Sequence, residues 1–125
     1  LKRARANFGV GSPTFIQAAA EQAWQDEKHV EDRREIFSER LDIAFNGLKD
    51  TGLIDSRPKA TFYLWCKTPN NMDDIEFCLG LGKHGVIASP SQWLSEGLKG
   101  YFRLAMVPTK DQIEEAIKVI KNYLK

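Results

Sequence analysis

The sequence predicts an α+β fold: a small, mainly antiparallel sheet packed on helices, with a long helix near the N-terminus. Residues 13–49 and 110–125 carry apolar side chains at helical spacing. Residues 60–67 and 101–107 are instead rich in the aromatic and aliphatic side chains that strands favour. The resulting order is helix, long helix, strand, helix, strand, strand, helix, which is typical of such a layered fold.

Composition narrows the classes of protein to consider. The chain has 125 residues, enough for one domain with a core, and its net charge of +1 creates no strong field for nucleic acid or anionic membranes. No apolar run approaches the roughly 18 residues of a spanning helix. Cys66 and Cys78 fit no paired metal-ligand motif, which favours a reducing, cytoplasmic setting. Because the chain starts at Leu1 without a Met or a signal peptide, we expect a piece of a longer protein.

The N-terminal third predicts two helices. Ser12 is a candidate N-cap and Pro13 suits the first turn of a helix from about 13 to 24, whose many alanines would allow close packing. A longer helix should run to about Lys49, and Gly52 should end it in a left-handed conformation. Its apolar stripe consists of Val30, Phe37, Leu41, Ala44 and Leu48.

A strand is predicted over residues 60–67. Alternation places Phe62, Leu64 and Cys66 on one face and Thr61, Tyr63, Trp65 and Lys67 on the other. After a turn at residues 69–71, Asp73 should cap a short helix that ends near Gly82 and Gly85.

The remaining residues predict two strands and a final helix. Residues 86–88 form a candidate short strand, which enters a loop over residues 89–97. A strand from Tyr101 to Val107 is stopped by Pro108. Thr109 and Gln112 have the spacing of a capping box, and the helix that follows carries an apolar stripe at Ile113, Ile117, Ile120 and Leu124.

Arg103 breaks the apolar pattern of its strand. A guanidinium cannot be desolvated there without a partner, because an unpaired buried charge is very costly. That partner is either a structural carboxylate of the protein or an anionic ligand, since the planar fork of donors suits bidentate recognition of carboxylate or phosphate. Residue type alone leaves both interpretations open.

Several segments resemble the C-terminal part of the class I/II, fold type I pyridoxal-phosphate aminotransferases. They are residues 60–65 (ATFYLW), 85–90 (GVIASP) and 100–109 (GYFRLAMVPT), followed by a helix with the spacing of Ile113, Ala116 and Ile117. Residues 12–20 (SPTFIQAAA) resemble the helix that follows the cofactor-lysine region. The resemblance covers essentially the whole chain in the right order. It implies that residues 1–27 are the end of the large domain and a connecting helix, and that residues 28–125 are the small domain.

The resemblance also implies two substrate-binding residues. Arg103 matches the arginine that holds the substrate's α-carboxylate, and Phe62 matches a position lining the substrate pocket. The loop over residues 89–97 matches a segment that moves towards the active site when substrate binds. Relatives often carry glycine where this chain has Ser91 and Ser95, so we expect this loop to be stiffer or differently shaped.

The cofactor implied by the resemblance is pyridoxal 5′-phosphate. No lysine of this chain stands in the family's lysine motif, so the chain alone should hold no catalytic, cofactor-binding or metal-binding residue and should be inactive. The intact protein would be a cytoplasmic homodimer that transfers amino groups between an amino acid and a 2-oxo acid in amino acid biosynthesis. The partners of this chain would be that substrate and its own large domain, not nucleic acid or a membrane.

Two other kinds of protein remain as alternatives. One is a non-catalytic α+β interaction module whose alanine-rich first helix docks on a partner. The other is a nucleic-acid-binding module that uses the basic residues Lys2, Arg3 and Arg5, although three charges are few for that purpose and are more typical of a solvated helix end.

Overall fold

The computed structural model describes residues 11–125. Predictions that concern the basic stretch at the N-terminus lie outside these residues. The chain divides into two compact units at the boundary between Arg34 and Glu35, and we describe the two units separately. The predicted boundary between residues 27 and 28 stays a prediction.

The described residues confirm the α+β class. The helices and strands, in chain order, are α1 (Thr14–Gln25), α2 (Glu27–Leu48), β1 (Tyr63–Lys67), α3 (Asp74–Lys83), β2 (Ser89–Pro90), β3 (Tyr101–Ala105) and α4 (Lys110–Tyr123). The three strands form one antiparallel sheet in the order β1-β3-β2. None of the helices in residues 11–125 combines the length and apolarity that crossing a membrane requires.

Helix α1 begins where the sequence predicts, but its cap differs. The N-cap is Pro13 and no side chain caps the helix, so the prediction for Ser12 is wrong. The backbone carbonyl of Ser12 instead accepts a hydrogen bond of 2.6 Å from Nε2 of Gln17. The side chains of α1, including Phe15 and Trp24, are exposed.

The core of the second unit lies between one face of the sheet and the helices. Alternation in β1 and β3 turns Leu64, Cys66, Phe102 and Leu104 inward, which confirms that Leu64 and Cys66 share a face as predicted. The helical stripes supply the opposite wall. Their buried members are Leu41, Ala44 and Leu48 in α2, Phe77, Cys78 and Leu81 in α3, and Ile113, Ile117 and Ile120 in α4.

The capping predictions are confirmed where they depend on nearby residues. The side chain of Asp73 accepts hydrogen bonds from the backbone N–H groups of Ile75 and Glu76 at 3.0 and 3.1 Å. Thr109 and Gln112 form both halves of a capping box. Gly52 adopts φ = 76°, the left-handed conformation that glycine accommodates without strain.

Residues 86–88 do not form the predicted strand. The N–H of Val86 donates to the carbonyl of Leu81 at 3.1 Å, which closes the end of α3, and the side chain of Ile87 is 91% exposed. The segment that pairs with β3 is Ser89–Pro90. β1 likewise starts three residues later than predicted, just after Thr61 takes φ = 75°, and β3 ends at Ala105.

Gly47 allows α2 to approach Ile117 of α4. A β-carbon at Gly47 would lie only 2.7 Å from Cδ1 and 2.9 Å from Cγ2 of Ile117, a buried side chain with little room to move. We expect Gly47→Ala to lower the free energy of unfolding by about 1–3 kcal/mol, because overpacking outweighs the better helix propensity of alanine.

Gly82 in α3 is the matched control for Gly47. It is also helical, but nothing lies within 4 Å of an added β-carbon. Gly82→Ala should therefore raise the free energy of unfolding by up to about 1 kcal/mol. Urea unfolding measures both variants, and an equal gain in stability from both would contradict the packing argument.

Both cysteines are free and buried. Burial raises the pKa of the Cys66 thiol to about 12 and that of Cys78 to about 11. Since the thiolate is the reactive form, we expect neither to be alkylated by iodoacetamide in the native protein at pH 8, and both to be alkylated in urea. Peptide mapping by mass spectrometry measures this, and modification of native Cys66 would contradict the burial described for it.

Candidate functional site

Arg103 lies on the central strand of the sheet, on the face opposite the core. Its neighbours in β3, Phe102 and Leu104, are buried, so the alternation of the strand directs Arg103 outward with Tyr101. Trp65 of β1 and Ser89 of β2 stand directly opposite it in register on either side. The side chain is thus half-buried between two neighbouring strands.

The guanidinium of Arg103 contacts an aromatic ring and, among the described residues, no carboxylate. Its Cζ lies 4.2 Å from the ring centroid of Tyr63. No acidic side chain within residues 11–125 forms an ion pair with it. Of the two interpretations left open by the sequence, an internal structural carboxylate is therefore not found among the described residues.

Phe62 lies immediately before β1 in an aromatic stack. Its ring centroid is 5.1 Å from that of Phe37 in α2 and 4.2 Å from that of Tyr63. Its carbonyl accepts a hydrogen bond of 2.8 Å from the N–H of Met106, which fixes the backbone beside the end of β3. Phe62 and Arg103, the two site residues predicted from the sequence, thus both contact the ring of Tyr63. Their roles in substrate binding stay predictions.

The outward face of the sheet also carries an aromatic cleft. Trp65 and Tyr101 stack with their ring centroids 5.9 Å apart and their planes at 16°. They and Tyr63 line a cleft of about 340 Å³, in which Lys67 forms an ion pair of 2.6 Å with Asp55. The hydrogen bond from Lys67 to Asp55 raises the pKa of Lys67, so this lysine remains a cation.

Asp74 is a buried carboxylate that the sequence analysis did not single out. Its Oδ2 accepts hydrogen bonds from Oγ of Ser91 and the N–H of Gln92, both at 2.9 Å. Its Oδ1 accepts from Nε2 of Gln92 at 2.7 Å and from the N–H of Gly100 at 3.3 Å. One side chain of α3 therefore holds both ends of the segment that leads from β2 to β3.

The hydrogen bonds keep the Asp74 carboxylate ionised. Burial acts to raise its pKa, but the donors from Gln92, Ser91 and Gly100 together outweigh this effect and lower the pKa to about 2. Ser91, one of the two serines on which the prediction for this loop rests, supplies one of these donors from a fully buried position. The expectation of a stiffer loop stays a prediction, and this contact supports it.

A lysine that carries pyridoxal phosphate needs a lowered pKa, which burial or a neighbouring cation provides. Every lysine in residues 11–125 is exposed. Exposure does not provide such an environment, and the absence of the cofactor lysine from this chain stays a prediction.

Comparison with known proteins identifies one family. The model for "Aminotransferase class I and II" matches residues 1–120. The LL-diaminopimelate aminotransferase of Natranaerobius thermophilus is 33% identical over 125 residues, covering 98% of this chain and 32% of that protein. The enzyme of the same name from Syntrophobacter fumaroxidans is 34% identical over 124 residues, with the same coverage. The chain thus spans about a third of the length of these curated relatives.

Solved structures lead to the same family. An aromatic aminotransferase from Pyrococcus horikoshii matches with a TM-score of 0.79 and 28% identity, covering 89% of this chain and 31% of that one. A probable N-succinyldiaminopimelate aminotransferase from Thermus thermophilus matches with a TM-score of 0.63 and 35% identity, covering 70% and 24% respectively.

Proposed function

The chain belongs to the class I and II aminotransferases, and from this premise we propose that it is the C-terminal part of a pyridoxal-phosphate-dependent amino acid aminotransferase. In the intact protein it would serve amino transfer between an amino acid and a 2-oxo acid. The observation that carries this proposal is the unpaired guanidinium of Arg103, held on a sheet face with no acidic partner among the described residues.

Arg103 is the residue we propose to bind the substrate's α-carboxylate. Two parallel N–H donors of a guanidinium match the two oxygens of a carboxylate, so the pair fixes orientation as well as position. A substrate held in this way presents its Cα–H bond in a constant direction to the catalytic base, which is a contribution of positioning. Phe62 would line the same pocket beside the aromatic contact of Arg103.

The cofactor would supply the carbanion-stabilising chemistry when bound. We propose that the lysine and the phosphate-binding residues that hold it lie outside these 125 residues. The exposure of the described lysines and the chain's share of its relatives' length support this assignment. On the same proposal the 125-residue chain alone is inactive.

The substrate class stays at amino acids and 2-oxo acids. Arg103 would recognise the α-carboxylate, which every amino acid substrate shares, and the relatives are named for different substrates: LL-diaminopimelate, aromatic and aspartate aminotransferases. A homodimeric, cytoplasmic enzyme of amino acid biosynthesis completes the proposal. The two free cysteines agree with a reducing compartment.

Trapping of the cofactor tests the assignment. The intact protein should bind pyridoxal phosphate with visible absorbance, follow ping-pong kinetics with an amino acid and a 2-oxo acid, and carry the cofactor on one lysine after borohydride reduction. Mass mapping should place that lysine outside residues 1–125. A modified lysine within the chain, or a protein that binds no cofactor, would overturn the proposal.

A further inference from the structure

We propose that Tyr63 is a positioning residue, whose ring holds the guanidinium of Arg103 in the orientation that receives a carboxylate. This inference rests on the proposed function. It assigns Tyr63 a role in the reaction although Tyr63 itself need not touch the substrate. The carrying observation is the distance of 4.2 Å between Cζ of Arg103 and the ring centroid of Tyr63.

The arginine needs such a support because its side chain is long and flexible. A guanidinium at the end of several rotatable bonds grips a carboxylate strongly only when its orientation is fixed beforehand. Among residues 11–125 no carboxylate pairs with it, and its guanidinium instead contacts the ring of Tyr63. The attraction between a cation and the negative face of a ring acts at such a distance. This contact pairs the guanidinium with a ring and not with a carboxylate. The guanidinium can therefore still bind an anion.

The ring of Tyr63 itself packs on a second aromatic ring. Phe62 contacts it with ring centroids 4.2 Å apart, and Phe62 packs in turn on Phe37 of α2 at 5.1 Å. This series of contacts connects a helix of the second unit to the guanidinium through three aromatic rings. Because each ring is packed on the next, the last one offers Arg103 a surface with little freedom to move.

The register of the sheet explains why Tyr63 and not another aromatic residue performs this task. Tyr63 pairs with Ala105, and Arg103, two residues before Ala105 in β3, is therefore the diagonal neighbour of Tyr63 on the same face. Trp65 stands directly opposite Arg103, but its ring stacks on Tyr101. Tyr101 is therefore a matched control, because it is an aromatic residue of the same sheet face whose ring stacks on Trp65 and not on the guanidinium of Arg103.

Kinetics of the intact enzyme, with acetate as a side-chain-free carboxylate inhibitor, test the role. Tyr63→Leu should raise the KM for the amino acid and the inhibition constant for acetate about threefold to thirtyfold, the range expected for a lost cation–π contact. The affinity for pyridoxal phosphate should stay within about twofold, since the contact acts on the carboxylate site. Tyr63→Phe, which keeps the ring, and Tyr101→Leu should retain nearly normal values of both constants.

A double-mutant cycle separates positioning from a merely structural role. In an Arg103→Gln background, Tyr63→Leu should leave acetate inhibition unchanged, because no guanidinium remains to be positioned. An equal loss in both backgrounds would overturn the inference. If Tyr63→Leu does not fold, Tyr63→Met removes the ring while filling similar space, and the same comparison applies.

The outcomes for Arg103 and Tyr63 are distinguishable. Normal constants in Tyr63→Leu together with impaired carboxylate binding in Arg103→Lys would overturn this inference alone. Normal constants in both variants would overturn the inference and the proposed role of Arg103.

Discussion

Arg103→Lys in the intact enzyme is expected to raise the KM for the amino acid and to lower kcat/KM by roughly 2 kcal/mol or more, which is about thirtyfold. Lysine keeps the charge but replaces the planar guanidinium with a single ammonium group, so the bidentate hydrogen bonding to the carboxylate is lost. The strand directs the side chain outward between Trp65 and Ser89, and lysine therefore occupies the same path. Steady-state kinetics with varied amino acid measures the change.

Arg57→Lys is the control for this substitution. Arg57 forms an ion pair with Asp42 and donates to Ser38, so its partners lie within the protein. We expect its kcat/KM to stay within about twofold of the unchanged enzyme, because a structural pair acts on folding and not on the transition state. Unchanged kinetics in Arg103→Lys would remove the role assigned to that residue.

Asp74→Asn should lower the free energy of unfolding by about 2–4 kcal/mol. The carboxylate accepts four hydrogen bonds from Ser91, Gln92 and Gly100. An amide offers one acceptor oxygen and turns an NH₂ group towards the remaining donors, so at least two of these hydrogen bonds are lost in a buried place. Urea unfolding followed by tryptophan fluorescence measures the difference.

The pH dependence of the free energy of unfolding distinguishes the loss of these hydrogen bonds to the carboxylate from a general loss of packing. The folded pKa of Asp74 lies at about 2, below its ordinary value of 3.8, so its stabilising effect is complete above about pH 4 and disappears as the pH falls to about 2. The difference in the free energy of unfolding between the unchanged protein and Asp74→Asn should therefore become smaller as the pH falls from about 4 to about 2. Glu76→Gln, an exposed change in the same helical turn, should alter stability by less than about 0.5 kcal/mol. A difference in the free energy of unfolding that does not change with pH would contradict the role of the carboxylate charge.

Features set by a few consecutive residues could be predicted from the sequence. Asp73 caps α3 and Thr109 with Gln112 caps α4 because each side chain reaches backbone groups only two or three positions away. The outward direction of Arg103 follows in the same way, since alternation within one strand decides which face a residue occupies.

Features that join distant segments could not be predicted. Residues 86–88 have strand composition, but the backbone of Val86 is used to close α3, so pairing with β3 falls to Ser89 and Pro90. Asp74 has the sequence signature of an ordinary acidic residue in a first helical turn, yet its hydrogen-bond donors lie 17 to 26 positions away. The periodicity of apolar residues does not indicate which residues far apart in the sequence will form hydrogen bonds.

Asp74 also has a consequence for how this protein can vary in length. Because it binds Gln92 and Gly100, the connection from β2 to β3 has two fixed ends, whereas residues 93–97 between them are exposed. Doubling the length of such a free span costs only about 0.6 kcal/mol of closure entropy. Insertions could therefore accumulate at this one place while the strand that carries the arginine keeps its position.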